Sequence, residues 1–306
     1  MDSITEEALA LLRTDGRLSF AELARELGVP RPAIAARISP LLESGELRIV
    51  AAVHPRFFGL NVMAHIAMRI SGDVDRVVEE ITASVATVFI SETVGPEQLV
   101  VEVHVRTLGE LQAILKTIRG LPGVLDARHL IYDHVLNSFF LGAEPEGPGI
   151  ELDDADGAII QILQHDGRAP YRELARHAGL SITAVRSRLH HLVDSGIMRI
   201  GALGQRTDSI GGLVFGVGVN LDGADDELIE LISRRRGLEF MARTVGRFDL
   251  VATIAFSSLQ DFNAFLDQVR RSPGTRAVTS WLHARIRLER YQFMQRDEDA
   301  REDMVG

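Results

Sequence analysis

Two clusters of residues carry side chains suited to chemistry. Between 168 and 206 there are seven arginines and two acidic residues, a local +5 inside a chain of formal charge −10. Val185, Leu189 and Leu192 recur there at helical spacing. That spacing puts Arg186, Ser187 and His190 on the opposite face, with Ser181, Ile182 and Thr183 at the start of the same helix. A guanidinium can donate two parallel bonds to a guanine edge, and Ile182 and the Thr183 methyl suit a thymine methyl. Arg168, Arg172 and Arg188 are placed for phosphate contact or for internal pairing. The second cluster is Gly246-Arg247-Phe248-Asp249. Its charged pair suits the carboxylate and amine of an amino acid; alternatively it is a hairpin turn with Asp249 bonded to local backbone.

Other chemistries lack their residues. There is no cysteine among the 306 residues, so disulfides, thiolate metal sites and a cysteine nucleophile are excluded. The ten histidines are scattered. His190 and His191 are adjacent on a helix, and His129 and His134 fall on opposite faces of a strand. Neither a phosphate-binding Walker loop nor a nucleotide-binding glycine fingerprint occurs. No catalytic set, metal or cofactor is therefore expected. No apolar run reaches bilayer-spanning length, and the acidic start Met1-Asp2-Ser3-Ile4-Thr5-Glu6-Glu7 lacks a signal-peptide layout. No membrane association and a cytoplasmic location are expected.

The elements that must position these clusters occur twice. Asp15-Gly16-Arg17 returns as Asp166-Gly167-Arg168, and Glu22-Leu23-Ala24-Arg25 as Glu173-Leu174-Ala175-Arg176, at an offset of 151. Over residues 15–50, 15 of 36 positions are identical without a gap. The offset persists: Val94-Gly95 matches Val245-Gly246, and Pro122-Gly123 matches Pro273-Gly274. The chain is thus two copies of one long module, joined at 142–149, where Gly, Pro and Glu oppose regular structure.

Each copy opens with three helices. Ser3 with Glu6 and Ser19 with Glu22 read as capping boxes, and Gly28 and Gly45 as helix stops. In copy two, Ser181 caps the third helix and Gly196 ends it. Helix, short glycine turn, helix is the helix-turn-helix signature. The stretches that follow, 46–52 and 197–203, are expected as wings. Residues 57–141 and 209–292 then alternate strand and helix in the order βαββαβ, the ferredoxin-like arrangement, leaving 293–306 as a charged tail. The fold expected is α+β: helix-turn-helix segments at 1–56 and 150–208, each followed by a βαββαβ domain. Such a sheet leaves one face to be covered. Val101, Val103 and Val105, with Val251, Thr253 and Ala255 at equivalent places, are expected on those faces, so that the two sheets meet within one chain or between chains.

This order of domains resembles the Lrp/AsnC (feast/famine) transcriptional regulators, over nearly the whole chain and twice. The resemblance is most specific at Leu152-Asp153, Asp156, Asp166-Gly167-Arg168, Glu173-Leu174-Ala175, Gly179-Leu180-Ser181, Val185, Arg188, Leu192 and Gly196-Ile197. Gly246-Arg247-Phe248-Asp249 resembles the Gly-x-aromatic-Asp turn of the family's ligand-binding domain. The resemblance implies binding to double-stranded DNA, control by a small molecule, often an amino acid, and homo-oligomers paired through βαββαβ sheets. Siroheme decarboxylases resemble the same paired architecture. Here the strands corresponding to their Tyr-Asn-x-Trp-type segment read Asn61-Val62-Met63-Ala64 and Leu213-Val214-Phe215-Gly216, and the only tryptophan is Trp281. A ligand sensor with weakened DNA binding is a third reading.

Copy one is the weaker reader. Ala35, Ala36, Ser39 and Pro40 stand where copy two has Arg186, Ser187, His190 and His191, leaving Arg31 as the base-reading donor. Pro40 removes one helix hydrogen bond and is expected to kink the third helix. Gln98 replaces the turn's Asp249, which counts against a ligand role for copy one.

Overall fold

The structure is a computed structural model describing residues 2–138, 140–145, 152–204, 212–223 and 225–290. Copy one runs α1 (Ser3–Thr14), α2 (Phe20–Leu27), α3 (Arg31–Glu43), β1 (Leu47–Val53), β2 (Val62–Ile70), α4 (Val74–Ser84), β3 (Phe89–Val94), β4 (Leu99–Val105), α5 (Leu108–Arg119) and β5 (Val124–Ser138). Copy two repeats it with α6 (Asp154–His165), α7 (Tyr171–Ala178), α8 (Ile182–Asp194), β6 (Met198–Gly204), β7 (Leu213–Leu221), α9 (Asp226–Ser233), β8 (Leu238–Val245), β9 (Leu250–Phe256), α10 (Leu259–Arg271) and β10 (Thr275–Glu289). A 3-10 turn, Pro55–Phe58, follows β1. The expected join at 142–149 lies partly, and the tail at 293–306 wholly, outside the described residues.

The chain divides into two compact units, each combining parts of both copies. The first holds the six helix-turn-helix helices and β1 and β6; the second holds the remaining strands and helices.

In the first unit, local signals fix the helices. The Ser19–Glu22 capping box is complete. Gly28 and Gly179 both end their helices at φ 65°, a left-handed conformation in which a side chain is strained. The cap of α1 is not Ser3 but Asp2, whose carboxylate accepts the Thr5 amide at 2.8 Å. One residue earlier, a carboxylate near the positive end of the helix serves better than a hydroxyl. Pro40 does not interrupt α3, which spans 13 residues like α8. Proline sits one turn from the C-terminal end, and Ser44 still donates to the Pro40 carbonyl at 2.9 Å. The stretches expected as wings are not wings. β1 and β6 pair antiparallel with each other, from Leu47 opposite Gly204 to Val53 opposite Met198. Their apolar residues join one core that includes Leu12, Leu23, Ile34 and Ile38 from copy one and Ile159, Leu174, Val185 and Leu189 from copy two.

The second unit is a closed eight-stranded barrel in the order β10-β3-β4-β2-β5-β8-β9-β7. Two four-stranded sheets, one per copy, join edge to edge at the seams β5·β8 and β10·β3. No strand of this barrel has an unpaired edge, the usual liability of an open sheet. Three cores result. Helices α4 and α5 cover the outer face of copy one's sheet, and α9 and α10 that of copy two's. Between the sheets lie Met63, Leu130, Tyr132, Val135, Ala242, Phe248, Val251 and Trp281. Val101, Val103 and Val105 are under the helices, not on the inner face. The equivalents of Val251, Thr253 and Ala255 are Val100, Glu102 and His104, one residue away from the expected set, and a shift of one residue exchanges the faces of a strand.

Candidate functional site

The face of α8 that the apolar spacing left outward is exposed at Ile182, Thr183, Arg186, Ser187 and His190, while Val185, Leu189 and Leu192 are buried. Ser181 caps the helix by accepting the Ala184 amide at 3.2 Å. The Arg186 guanidinium lies over the Tyr171 ring, 5.0 Å from its centroid, so an aromatic platform from α7 supports it. Arg172 is exposed on α7. The matching surface of α3 carries Arg31, Pro32, Ala36 and Pro40, and α3 begins at Pro30 with no side-chain cap.

Of the arginines placed for phosphate contact or internal pairing, Arg168 and Arg188 are paired internally. Arg168 donates through Nε to the Gly16 carbonyl and through Nη2 to the Leu18 carbonyl, both at 2.8 Å. Arg17 does the reciprocal, donating to the carbonyls of Gly167 at 2.8 Å and Ala169 at 3.1 Å. The Gly16 amide donates to the Ile200 carbonyl and Gly167 to that of Ile49. A Cβ at Gly16 would come within 2.7 Å of Ile49 Cγ2, and one at Gly167 within 2.8 Å of Ile200 Cγ2. The repeated Asp-Gly-Arg is therefore a two-way clasp between the copies: the glycine admits the other copy's strand and the arginine ties its loop. Burial lowers the Arg168 pKa, and the facing Arg17 charge adds to this. Arg188 is likewise internal, bonded to Asp153 at 2.7 Å and Asp156 at 2.9 Å. Its copy-one counterpart Arg37 bonds Asp2 at 2.8 Å.

In the barrel the structure separates Arg247 from Asp249. The Asp249 carboxylate accepts the Leu221 amide at 2.8 Å, and its own amide donates to the Val219 carbonyl at 2.9 Å. Gln98 does the same in copy one, accepting the Ile70 amide at 3.0 Å and donating to the Met68 carbonyl at 2.9 Å. Both side chains tie a hairpin to its neighbouring strand, the local backbone bonding expected as the alternative role of Asp249, and Gln98 does so without a charge. Gly246 has φ 143°, and a Cβ there would sit 3.0 Å from Leu130 Cβ. Arg247 instead pairs with Glu97 of copy one at 2.7 Å, with its guanidinium 4.9 Å from the Phe248 ring centroid. The two flank a cavity of about 30 Å³ lined by His65, Thr93, Val100, Leu130, Phe248 and Trp281 among others.

Behind that cavity is a buried polar network. Tyr132 donates to Glu102 Oε1 at 2.5 Å, and His65 Nδ1 lies 3.8 Å from the same oxygen. Burial raises the Glu102 pKa, but the bonds and charge of His65 and the Tyr132 hydroxyl outweigh it and hold the carboxyl below its usual range. Burial and the Glu102 charge push the Tyr132 hydroxyl well above its ordinary value. Trp281 Nε1 donates to His283 Nε2 at 3.1 Å, which leaves His283 Nδ1 to donate to Ser91 Oγ at 2.9 Å. Sequence reasoning missed these residues and Glu97. The signal was the period of two, since Glu102 and His104 alternate with the outward valines. Among the described residues no cluster of His, Asp or Glu could hold a metal ion, and no helix is long and apolar enough to cross a membrane.

The model of an AsnC-type helix-turn-helix domain matches residues 1–42 and again 152–193. An uncharacterized HTH-type transcriptional regulator of Pyrococcus abyssi is 32% identical over 127 residues, 40% of this chain and 80% of that protein. The HTH-type transcriptional regulator LysM of Sulfurisphaera tokodaii is 24% identical over 136 residues, 44% of this chain and 97% of that one. These relatives are about half the length of this chain, as one module should be. A solved structure of the siroheme decarboxylase NirDL shares the fold over 99% of this chain and 98% of its own, with a TM-score of 0.66 and 17% identity. A doubled helix-turn-helix match, single-module relatives and a barrel closed by two βαββαβ halves place this chain in the Lrp/AsnC family of transcriptional regulators, in a form that carries the family's module twice.

Proposed function

We propose that the chain reads a specific DNA duplex chiefly through α8 and couples that reading to a small molecule held in the barrel unit. One observation carries this reading: α8 exposes Ile182, Thr183, Arg186, Ser187 and His190 along one face, whereas the matching surface of α3 exposes Arg31, Pro32, Ala36 and Pro40. In a helix-turn-helix the second of the two packed helices enters the major groove, and its N-terminal residues meet the bases. Arg172 and Arg176, exposed on α7, support an approach to phosphate, whereas Arg168 and Arg188 are spent on internal bonds.

The test is fluorescence anisotropy at fixed salt on the chain's own upstream DNA and on a scrambled duplex. Arg186→Ala is expected to cost about 1–3 kcal/mol on the specific site and less on the scrambled one. Arg31→Ala is expected to matter less. If Arg31→Ala weakens specific binding more than Arg186→Ala does, α8 is not the main reader.

A reading as a decarboxylase has the full-length fold likeness to NirDL in its favour. The doubled helix-turn-helix match and the relatives, all regulators, speak for the regulator, and the inner cavity, at about 30 Å³, would have to open to admit a tetrapyrrole. Porphyrin-like absorbance in the purified protein would overturn that choice. An amino-acid-sized effector likewise requires the cavity to open, and the Glu97–Arg247 pair stands where it would do so.

A further inference from the structure

The two copies do not offer two equivalent cavities. At the offset of 151, Pro96 stands for Arg247 and Phe248 stands for Glu97, so the counterpart site lacks both charges. It is also filled. Gly216 and Gly218 replace His65 and Ala67. A Cβ at Gly216 would collide with the Trp281 indole, and one at Gly218 would come within 2.5 Å of the Phe248 ring. The rings of Trp281 and Phe248, stacked at 19° with centroids 6.1 Å apart, lie against these glycines. The same rings form the apolar wall of the remaining cavity.

That cavity holds one carboxylate already, and it belongs to the chain. Glu97 is 9% exposed, yet it comes from a hairpin turn of copy one and bonds an arginine of copy two. The Arg247 side chain is 36% exposed and so reachable from outside. The other lining arginine, Arg128, is taken by Asp126 at 2.8 Å. With Glu97 in place the residual volume of about 30 Å³ accommodates only about two water molecules.

We propose that this cavity is a carboxylate-binding site, one per chain and built from both copies, with the Glu97 side chain as its resident occupant. The ligand class is a compact monocarboxylate with an apolar body. Its carboxylate takes the Arg247 guanidinium from Glu97, and its body lies against Val100, Leu130, Phe248 and Trp281. This rests on reading the barrel as the sensing unit. It does not depend on which helix reads DNA.

Trp281 is the only tryptophan in the chain and lines the cavity, so its emission reports occupancy. Propionate, which reproduces the end of a glutamate side chain, is the probe. In full-length Glu97→Ala, propionate is expected to change Trp281 emission saturably, with a Kd at least tenfold lower than in the unsubstituted chain. The response is expected to vanish in Glu97→Ala/Arg247→Gln, and propionamide or chloride at equal ionic strength should not produce it. If Glu97→Ala does not fold, Glu97→Gln keeps the shape, loses the charge and carries the same comparison. A folded variant that shows no saturable response, a response that survives loss of Arg247, or one reproduced by chloride overturns the proposal. Arg186→Ala should keep the propionate response of a Glu97 variant whatever it does to DNA binding, so failure of the site and failure of the DNA-reading helix are told apart.

Discussion

Arg168→Ala separates a structural clasp from a phosphate contact. The substitution removes two bonds of 2.8 Å from a guanidinium to the carbonyls of Gly16 and Leu18, and a cation–aromatic contact with the Phe20 ring at 5.8 Å. Bonds to charged groups contribute about 1.5–3 kcal/mol each when buried and less when half-buried, so a total loss of about 2–4 kcal/mol is expected. The opposed Arg17 and Arg168 charges repel, so deleting either relieves the other. Each single variant gains that relief, whereas the double variant gains it only once, so Arg17→Ala/Arg168→Ala should lose more than the sum of the two. Urea unfolding followed by two signals locates the damage. Far-UV circular dichroism sees the helices of both units, whereas Trp281 sees only the barrel. The dichroism transition should move to lower urea while the tryptophan transition stays in place. A phosphate ligand would behave in the opposite way: stability would be unchanged, and the salt slope of DNA binding would fall by about one. That outcome would refute the clasp.

Asp249→Ala is expected to lower stability by about 1 kcal/mol through loss of its bond to the Leu221 amide, and Asp249→Asn should recover most of it, since Gln98 does the same task uncharged; loss of a ligand response at full stability would instead return Asp249 to the binding site. Gly216→Ala should cost about 1–3 kcal/mol by overpacking and shift Trp281 emission, because the indole occupies the space a methyl needs; unchanged emission would count against that packing. Acid stability has a traceable source at the first helix. Asp2 has its pKa lowered from 3.8 to about 2 by the Thr5 side-chain and backbone bonds first and Arg37 next. A carboxyl depressed in the folded state stabilises above its unfolded pKa, and that contribution is lost as pH falls through 3.8 towards about 2. Asp2→Ala should flatten the dependence of thermal midpoint on pH in that window; an unchanged slope would discount the cap.

Much of the architecture was legible because it rests on local rules. Ser19 with Glu22, glycine at 28 and 179, and the spacing of Val185, Leu189 and Leu192 each need only neighbours within a turn or two. What escaped was decided by contacts about 150 residues apart. Arg168 looks like any exposed arginine until Gly16 and Leu18 of the other copy appear beside it. The wings were misread because an isolated extended stretch does not declare its partner, and β1 found β6. The inner face was misassigned by one residue in a strand of seven, enough to hide Glu102 and its bond to Tyr132. Glu97 offered no local signal at all, since a glutamate in a Gly-Pro turn ordinarily meets water.

The seams β5·β8 and β10·β3 join halves that are covalently linked, and this alters how the barrel responds to dilution. Two separate chains pairing through the same strands would obey mass action, and their folded fraction would fall as protein became scarce. Here each half meets its partner at an effective concentration set by the chain itself, which the number of molecules present does not change. The barrel's unfolding midpoint should therefore be the same at nanomolar and micromolar protein. A cell could keep very few molecules of this protein and still have every one of them assembled.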